Sequence, residues 1–194
     1  MLTKNALQAV ARDIALVVFD VDGVLTDGTL AYSASGEEVK FFNVKDGVGI
    51  KLLQTYGIEV AVISAKGSAA LDKRMHDLGI KHFYPATKDK LVVLSALMVE
   101  LGIEWTQVAY VGDDIIDLKV MRHVALAVSP ADGYKLVREF SHVVTDAPGG
   151  RGVAREVADI ILSARMDLAE AYTKAMLPEF ESADFKQKLG QKGA

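Results

Sequence analysis

Short apolar runs recur along the chain and alternate with longer stretches in which apolar positions return every three or four residues. The runs are IALVVF (14–19), EVAVIS (59–64), KHFYP (81–85), VAYVGD (108–113), VALAVS (124–129) and HVVTD (142–146). Most are rich in valine and isoleucine and too short for a helix, so they predict strands covered on both faces. Between them, Ile50, Leu53 and Tyr56, then Leu71, Met75 and Leu78, keep helical spacing, and Gly57 and Gly79 close the two sets as helix C-caps. This alternation predicts an α/β fold, a Rossmann-like doubly wound parallel sheet with crossover helices.

One segment interrupts the pattern. TLAYSASGEEVKFFNV, residues 29–44, has two extended arms around a Ser-Gly-Glu turn and predicts a β-hairpin inserted directly after the first strand. Phe41 and Phe42 are adjacent on its second arm, so one of them faces away from whatever the other packs on, to be covered by the domain itself or by a partner subunit. Further on, residues 152–177 carry Val153, Val157, Ile160, Ile161 and Ala164 on one helical stripe. No linker or repeat divides the chain, which predicts a single domain over 1–177 and a polar, mobile tail over 178–194.

Composition narrows the function. A formal charge of -4 provides no basic footprint for nucleic acid. The absence of cysteine excludes disulfides, thiolate metal sites and a cysteine nucleophile. The first twenty residues carry Lys4, Arg12 and Asp13 without a secretory pattern, and no apolar segment reaches the ~18 residues of a membrane span, so a soluble cytoplasmic protein is expected.

The candidate chemistry lies at the ends of the predicted strands, where a parallel sheet binds its ligands. Asp20, Asp22 and Asp27 follow the first run in FDVDGVLTDG, Ser64 closes the second, Lys90 opens a helix after the third, and Asp113, Asp114 and Asp117 follow the fourth. Burying a carboxylate without a partner costs several kcal/mol, roughly, so such acids need a cation, a donor network or water. Oxygen donors such as Asp20 and Asp113, with a backbone carbonyl and waters, suit Mg²⁺ better than zinc. A carboxylate is also a feasible nucleophile toward phosphorus, because the resulting acyl phosphate can be opened by water. A second acid two residues on can protonate a sugar alkoxide and then take a proton from the attacking water. Ser64 would bind a phosphoryl oxygen, and Lys90 would neutralise charge on nucleophile and transferring group.

Singly, each feature has a plainer reading: turn caps for the aspartates, a helix N-cap for Ser64, a solvated lysine for Lys90. Their joint placement on successive strand ends is what points to phosphoryl transfer. Asp46 and Gly47 could contact substrate or cap a helix, GGRG (149–152) reads as a glycine-rich entry to the last helix, and Asp27 reads as structural. A receiver-like phosphoacceptor remains a competing class, although its phosphoacceptor follows the third strand, and a non-catalytic partner module is another.

DVDGVLT (20–26), VIS (62–64), Lys90 and GDDIID (112–117), in that order, resemble the four motifs of the haloacid dehalogenase superfamily of phosphatases. The resemblance implies Asp20 as nucleophile and metal ligand, Asp22 as acid/base, Ser64 and Lys90 as phosphate binders, and Asp20, Asp22 and Asp113 as the Mg²⁺ set, supported by Asp114 and Asp117. The intervals between motifs leave no room for an ordinary cap domain, so the site is expected to be open.

The fuller pattern, with GEEVKFFNVKDGVGIKLL, KDKL, VAYVGDDIIDLKVM and GGRGVAREV, is similar to the 3-deoxy-D-manno-octulosonate 8-phosphate phosphatases of lipopolysaccharide biosynthesis. That similarity implies a homotetramer with hairpin-mediated contacts and a substrate bearing both phosphate and carboxylate. After Ser64 the family usually shows Gly-Arg, whereas this chain has Ala65 and Lys66. Lys66 keeps the charge for a substrate carboxylate but loses the two-pronged guanidinium, so a nine-carbon 2-keto acid 9-phosphate stays open as an alternative substrate.

Overall fold

The apolar runs become a sheet because each has neighbours that cover both of its faces. In the computed structural model, which describes residues 2–34, 36–176 and 180, the chain begins with α1 (Lys4–Asp13) and β1 (Leu16–Phe19), then β2 (Ala31–Ser33) and β3 (Gly36–Val39). It continues through α2 (Val44–Thr55), β4 (Glu59–Ile63), α3 (Ala69–Asp77), β5 (His82–Tyr84), α4 (Lys90–Leu101) and β6 (Val108–Val111). The last elements are α5 (Leu118–Met121), β7 (Leu126–Ser129), α6 (Lys135–Phe140), β8 (Val143–Val144), α7 (Val153–Ser163) and α8 (Leu168–Thr173). The predicted tail, 178–194, lies outside the described residues apart from Phe180, which is buried.

Six strands run parallel in the order β5-β4-β1-β6-β7-β8. Alternation along β1 divides the core: Val17 and Phe19 join one apolar cluster with α2, α3 and α7, while Leu16 and Val18 join the other with α4, α5 and α6. From β1 the chain winds outward through β4 to β5, then crosses back to β6 and winds the other way. The direction reverses beside β1, and the carboxyl ends of β1 and β6 flank the crevice that such a reversal opens.

β2 and β3 form a separate antiparallel pair between β1 and α2. Phe42 packs on the core and lies under the Arg74 guanidinium, 5.8 Å from its ring centre, whereas Phe41 points outward and is 70% exposed. At the other end, the helical stripe over 152–177 is not one helix. α7 ends at Ser163, and Asp167 starts α8 by accepting the amides of Ala169 (2.9 Å) and Glu170 (3.1 Å). The cap competes with continuation of the helix and wins.

Asp46 is put to a use different from the substrate contact considered for it. It lies in the first turn of α2, 97% buried, and its two oxygens accept the amides of Gly152 (3.1 Å) and Ala154 (2.7 Å) at the start of α7. α7 has no side chain of its own capping it, so α2 supplies the cap across their packed interface. Gly47 follows on the same helix, and a Cβ there would fall 2.6 Å from the Arg74 guanidinium. Asp46→Ala would leave two buried amides without acceptors and should destabilise the fold by about 1–3 kcal/mol in urea unfolding, with Asp46→Asn intermediate. Equal stability of all three proteins would remove this cap from the account of how α7 is held.

Candidate active site

The site begins where β1 runs out of apolar residues. The Asp20 amide still donates to Val111 O at 3.0 Å, which continues the β1–β6 ladder by one step and fixes the Asp20 side chain at the crevice. Beyond it the backbone turns through Gly23, whose φ of +84° is in the left-handed region. A Cβ at Gly23 would fall 2.0 Å from Asp113 Oδ2, so glycine is what lets the first-strand loop and the Asp113 carboxylate share this space. The GGRG segment presses on the same loop: a Cβ at Gly149 would meet Gly23 O at 2.1 Å, and Gly150 donates its amide to Val24 O at 2.9 Å. GGRG therefore enters α7, as predicted, and also backs the loop.

Lys90 is the first residue of α4, placed by Asp89, which caps the helix by accepting the amides of Leu91 and Val92. Its ammonium lies 2.9 Å from Asp20 Oδ1 and 2.8 Å from Asp117 Oδ1, and all three side chains are almost wholly buried. Asp117 Oδ1 also accepts the Tyr110 hydroxyl at 2.7 Å, while Oδ2 accepts the amides of Asp113 (3.3 Å) and Asp114 (3.4 Å). Asp117 thus ties α4, β6 and the loop after β6 to one carboxylate.

Charge is incompletely balanced here. Burial pushes the Asp20 carboxyl up to about 7, the Asp117 carboxylate adds to the shift, and Lys90 opposes it. Burial likewise raises Asp113 to about 7, reinforced by Asp20, Asp117 and Asp114. For Lys90, burial works against the charged form, but the two carboxylates outweigh it and the net shift is upward. Tyr110 is held well above its ordinary value by burial and by Asp117, so its hydroxyl stays a donor.

Asp20, Asp22, Lys66, Asp113 and Asp114 line one cleft of about 250 Å³, together with Leu30 from the foot of the hairpin. Ser64 is buried at the end of β4, and its hydroxyl accepts the Lys66 amide at 3.3 Å. Lys66 lays its ammonium over the Tyr32 ring of β2, 5.8 Å from the centroid. Asp27 accepts the Thr29 amide at 2.9 Å and stabilises the turn into the hairpin, a structural role as read from the sequence. Asp46 and Gly47 are not brought to this cleft; Gly47 lines a separate cavity with Lys51, Arg74 and Phe180.

Asp20, Asp113 and Asp117 carry oxygens within 4.8 Å of one another, a donor set suited to a hard divalent cation. Asp117 already accepts from four donors, so Asp20 and Asp113, which line the cleft, are the better placed of the three to hold such a cation. The Asp22 side chain is not in this cluster. Its Oδ1 pairs with the ammonium of Lys40, a buried lysine just after β3. Lys40 and Tyr110 are the two residues sequence reasoning missed: EEVK reads as solvated charge and VAYV as plain core. The available signal for Lys40 was its position directly between a hairpin arm and two phenylalanines.

No family model matches the chain. Among curated proteins, the 3-deoxy-D-manno-octulosonate 8-phosphate phosphatase KdsC of Yersinia pestis is 45% identical over 161 residues, 83% of this chain and 86% of that one. The protein of the same name from Escherichia coli K12 is 45% identical over 163 residues, covering 84% and 87%. Among solved structures, the Y. pestis phosphatase superposes with a TM-score of 0.81 at 44% identity, over 83% of this chain and 87% of that one. The Moraxella catarrhalis phosphatase, solved in complex with magnesium ion, phosphate ion and a KDO molecule, gives 0.84 at 38% identity over 90% and 100%. Among the described residues, no helix is long and apolar enough to cross a membrane.

The folded pKa values of Asp20 and Asp113 lie above the unfolded value of 3.8. Their contribution to stability is therefore greatest below about pH 4 and is lost as pH rises toward about 7, because the fold resists ionising them. Without divalent cation, the melting temperature should fall through that window as far as these groups control it. Mg²⁺ should raise the melting temperature more at about pH 8 than at about pH 5, where protons compete for the same oxygens. A magnesium-induced shift independent of pH, read by scanning calorimetry, would place the cation elsewhere.

Proposed function

The chain belongs to the family of 3-deoxy-D-manno-octulosonate 8-phosphate phosphatases, and on that premise we propose that it hydrolyses 3-deoxy-D-manno-octulosonate 8-phosphate to the free sugar acid and phosphate. The observation that carries the mechanism is the Lys90 ammonium shared by Asp20 and Asp117, with Asp22 and Asp113 on the same cleft.

Asp20 is the nucleophile. Its carboxylate oxygen forms a bond to phosphorus, and the bond from phosphorus to the sugar oxygen breaks with its electron pair remaining on that oxygen. Asp22 gives that oxygen a proton as the bond breaks, so no free alkoxide is released. Asp22 then takes a proton from water, the water oxygen bonds to phosphorus, and Asp20 is regenerated as phosphate leaves. Lys90 offsets charge on Asp20 and on the transferring group, and Ser64 donates to a phosphoryl oxygen. Asp20 and Asp113 would hold a magnesium ion, with a backbone carbonyl and waters completing the oxygen set, and it would supply positive charge to offset the carboxylates and screen the phosphate. Asp114 and Asp117 support that set, Asp117 by holding Lys90 in place.

Lys66 is the cation for the substrate carboxylate, since it lines the cleft and is carried on the loop after β4. Its single point of charge, in place of the usual arginine, leaves a nine-carbon 2-keto acid 9-phosphate as the alternative substrate. The reaction belongs in the cytoplasm on either reading, because such phosphorylated acids are too charged to cross a bilayer unaided.

The expected result is magnesium-dependent phosphate release from octulosonate 8-phosphate, faster than from neutral sugar phosphates. Asp20→Asn should abolish turnover with the melting temperature retained. No turnover of any sugar acid phosphate would defeat the enzyme reading, and a preference for neutral sugars would defeat the substrate assignment.

The assembly on this reading is a homotetramer built through the hairpins. Tyr32 is 65% exposed and Phe41 70% exposed, on a segment that also exposes Leu30 and Val39, and a neighbouring chain is a fitting cover. Sedimentation should find a tetramer, and Phe41→Ser should shift it to smaller species with lower activity. A wild-type monomer at micromolar concentration would overturn the assembly.

A further inference from the structure

We propose that Lys40 is the positioning residue for Asp22, holding Oδ1 of its carboxylate so that Oδ2 is the oxygen presented to the leaving group. The inference rests on the phosphatase reading and on Asp22 as its acid. Lys40 follows the second arm of the hairpin, and its ammonium pairs with Asp22 Oδ1 across 18 positions of sequence. The Lys40 side chain is 1% exposed and that of Asp22 is 26% exposed. Lys40 is thus shut off from substrate, unlike Lys66, while the carboxylate it grips opens to the cleft.

An ammonium can only donate hydrogen bonds. Oδ1 must therefore act as acceptor whenever the pair is intact, which leaves Oδ2 as the oxygen to face the leaving group. The same ion pair removes the rotation by which a rim aspartate would otherwise turn either oxygen, or neither, toward the scissile bond. In the first half-reaction the Oδ2 proton goes to the sugar oxygen as the bond to phosphorus breaks, and in the second Oδ2 takes a proton from the attacking water. A buried ammonium is costly unless it is paired, and Asp22 is the partner it meets on the side of the cleft. The cation is carried on the hairpin, and seating of the hairpin is thereby a condition for orienting the acid.

The test uses the magnesium-loaded enzyme with two substrates: octulosonate 8-phosphate, whose alkoxide needs a proton to leave, and p-nitrophenyl phosphate, whose phenolate does not. Asp22→Asn should lose about 100-fold or more in kcat on the sugar phosphate and far less on the aryl phosphate. Lys40→Met should show the same pattern more weakly, tens of fold on the sugar phosphate and within about threefold on the aryl phosphate. In the Asp22→Asn background Lys40→Met should cost nothing further, because its effect passes through that carboxylate. Lys40→Gln is measured in parallel, and both variants are compared by circular dichroism and melting.

Equal losses on the two substrates in whichever Lys40 variant folds, or an additive loss in the double variant, would overturn the positioning role while leaving Asp22 as the acid. If Asp22→Asn itself shows no dependence on the leaving group, the acid assignment fails and this proposal falls with it.

Discussion

The Lys90 ammonium between Asp20 and Asp117 is the contact on which the rest of the site depends. A buried ion pair is a poor source of net stability, since desolvation consumes most of the Coulombic gain, yet removing one partner is costly because the other is left charged and unpaired. The arrangement therefore persists by mutual dependence. Lys90 holds Asp20 at the crevice, Asp117 holds Lys90, and the Tyr110 hydroxyl with the amides of Asp113 and Asp114 holds Asp117. Each link lies on a different element, so the set exists only in the folded chain.

Backbone proximity is the second condition. Acids from β1 and β6 meet because those strands are hydrogen-bonded neighbours at the point where the winding direction reverses. The loops beyond them then have to interpenetrate. Gly23 clears the volume occupied by the Asp113 carboxylate, and Gly149 clears the carbonyl of Gly23. Side chains at either place would separate the loops by more than a hydrogen bond tolerates. α7 is drawn into the same construction, because its amides are capped by Asp46 from α2 while its entry segment backs the first-strand loop.

Most of this was legible in the sequence where a polar residue directly follows an apolar run. Asp20, Ser64 and Asp113 each close such a run, and a parallel sheet sends all of those ends to one edge, so the meeting of Asp20 and Asp113 in one cleft could be anticipated without coordinates. Lys90 was legible only through its fixed place among the other motifs. Asp46 was not, since its partners lie 106 and 108 residues away and a local reading offers substrate contact and helix cap on equal terms. The stripe over 152–177 misled because apolar spacing persists through a turn, and the single clue to the break was Asp167, a good N-cap in mid-pattern. Tyr110 and Lys40 were hidden for opposite reasons: one is a polar group inside an apolar strand, the other a charge that looks solvated but is buried.

The charges also divide the labour among the acids. Asp20, Asp113 and Asp117 bring oxygens within 4.8 Å of one another and only the first and last pair with the Lys90 ammonium, so three carboxylates are set against one positive charge and two negative charges are left over. A phosphate brought into that field would be repelled, and the upward shifts of Asp20 and Asp113 express the same deficit as resistance to ionisation. A divalent cation would supply the missing charge and, on the proposed reaction, let Asp20 stay ionised beside an anionic substrate. Asp22 stands outside this account because Lys40 compensates it separately. Two aspartates two positions apart are thus given different cationic partners, Lys90 for Asp20 and Lys40 for Asp22. On the proposed reaction, that separation would let Asp20 attack phosphorus as an anion while Asp22 cycles a proton.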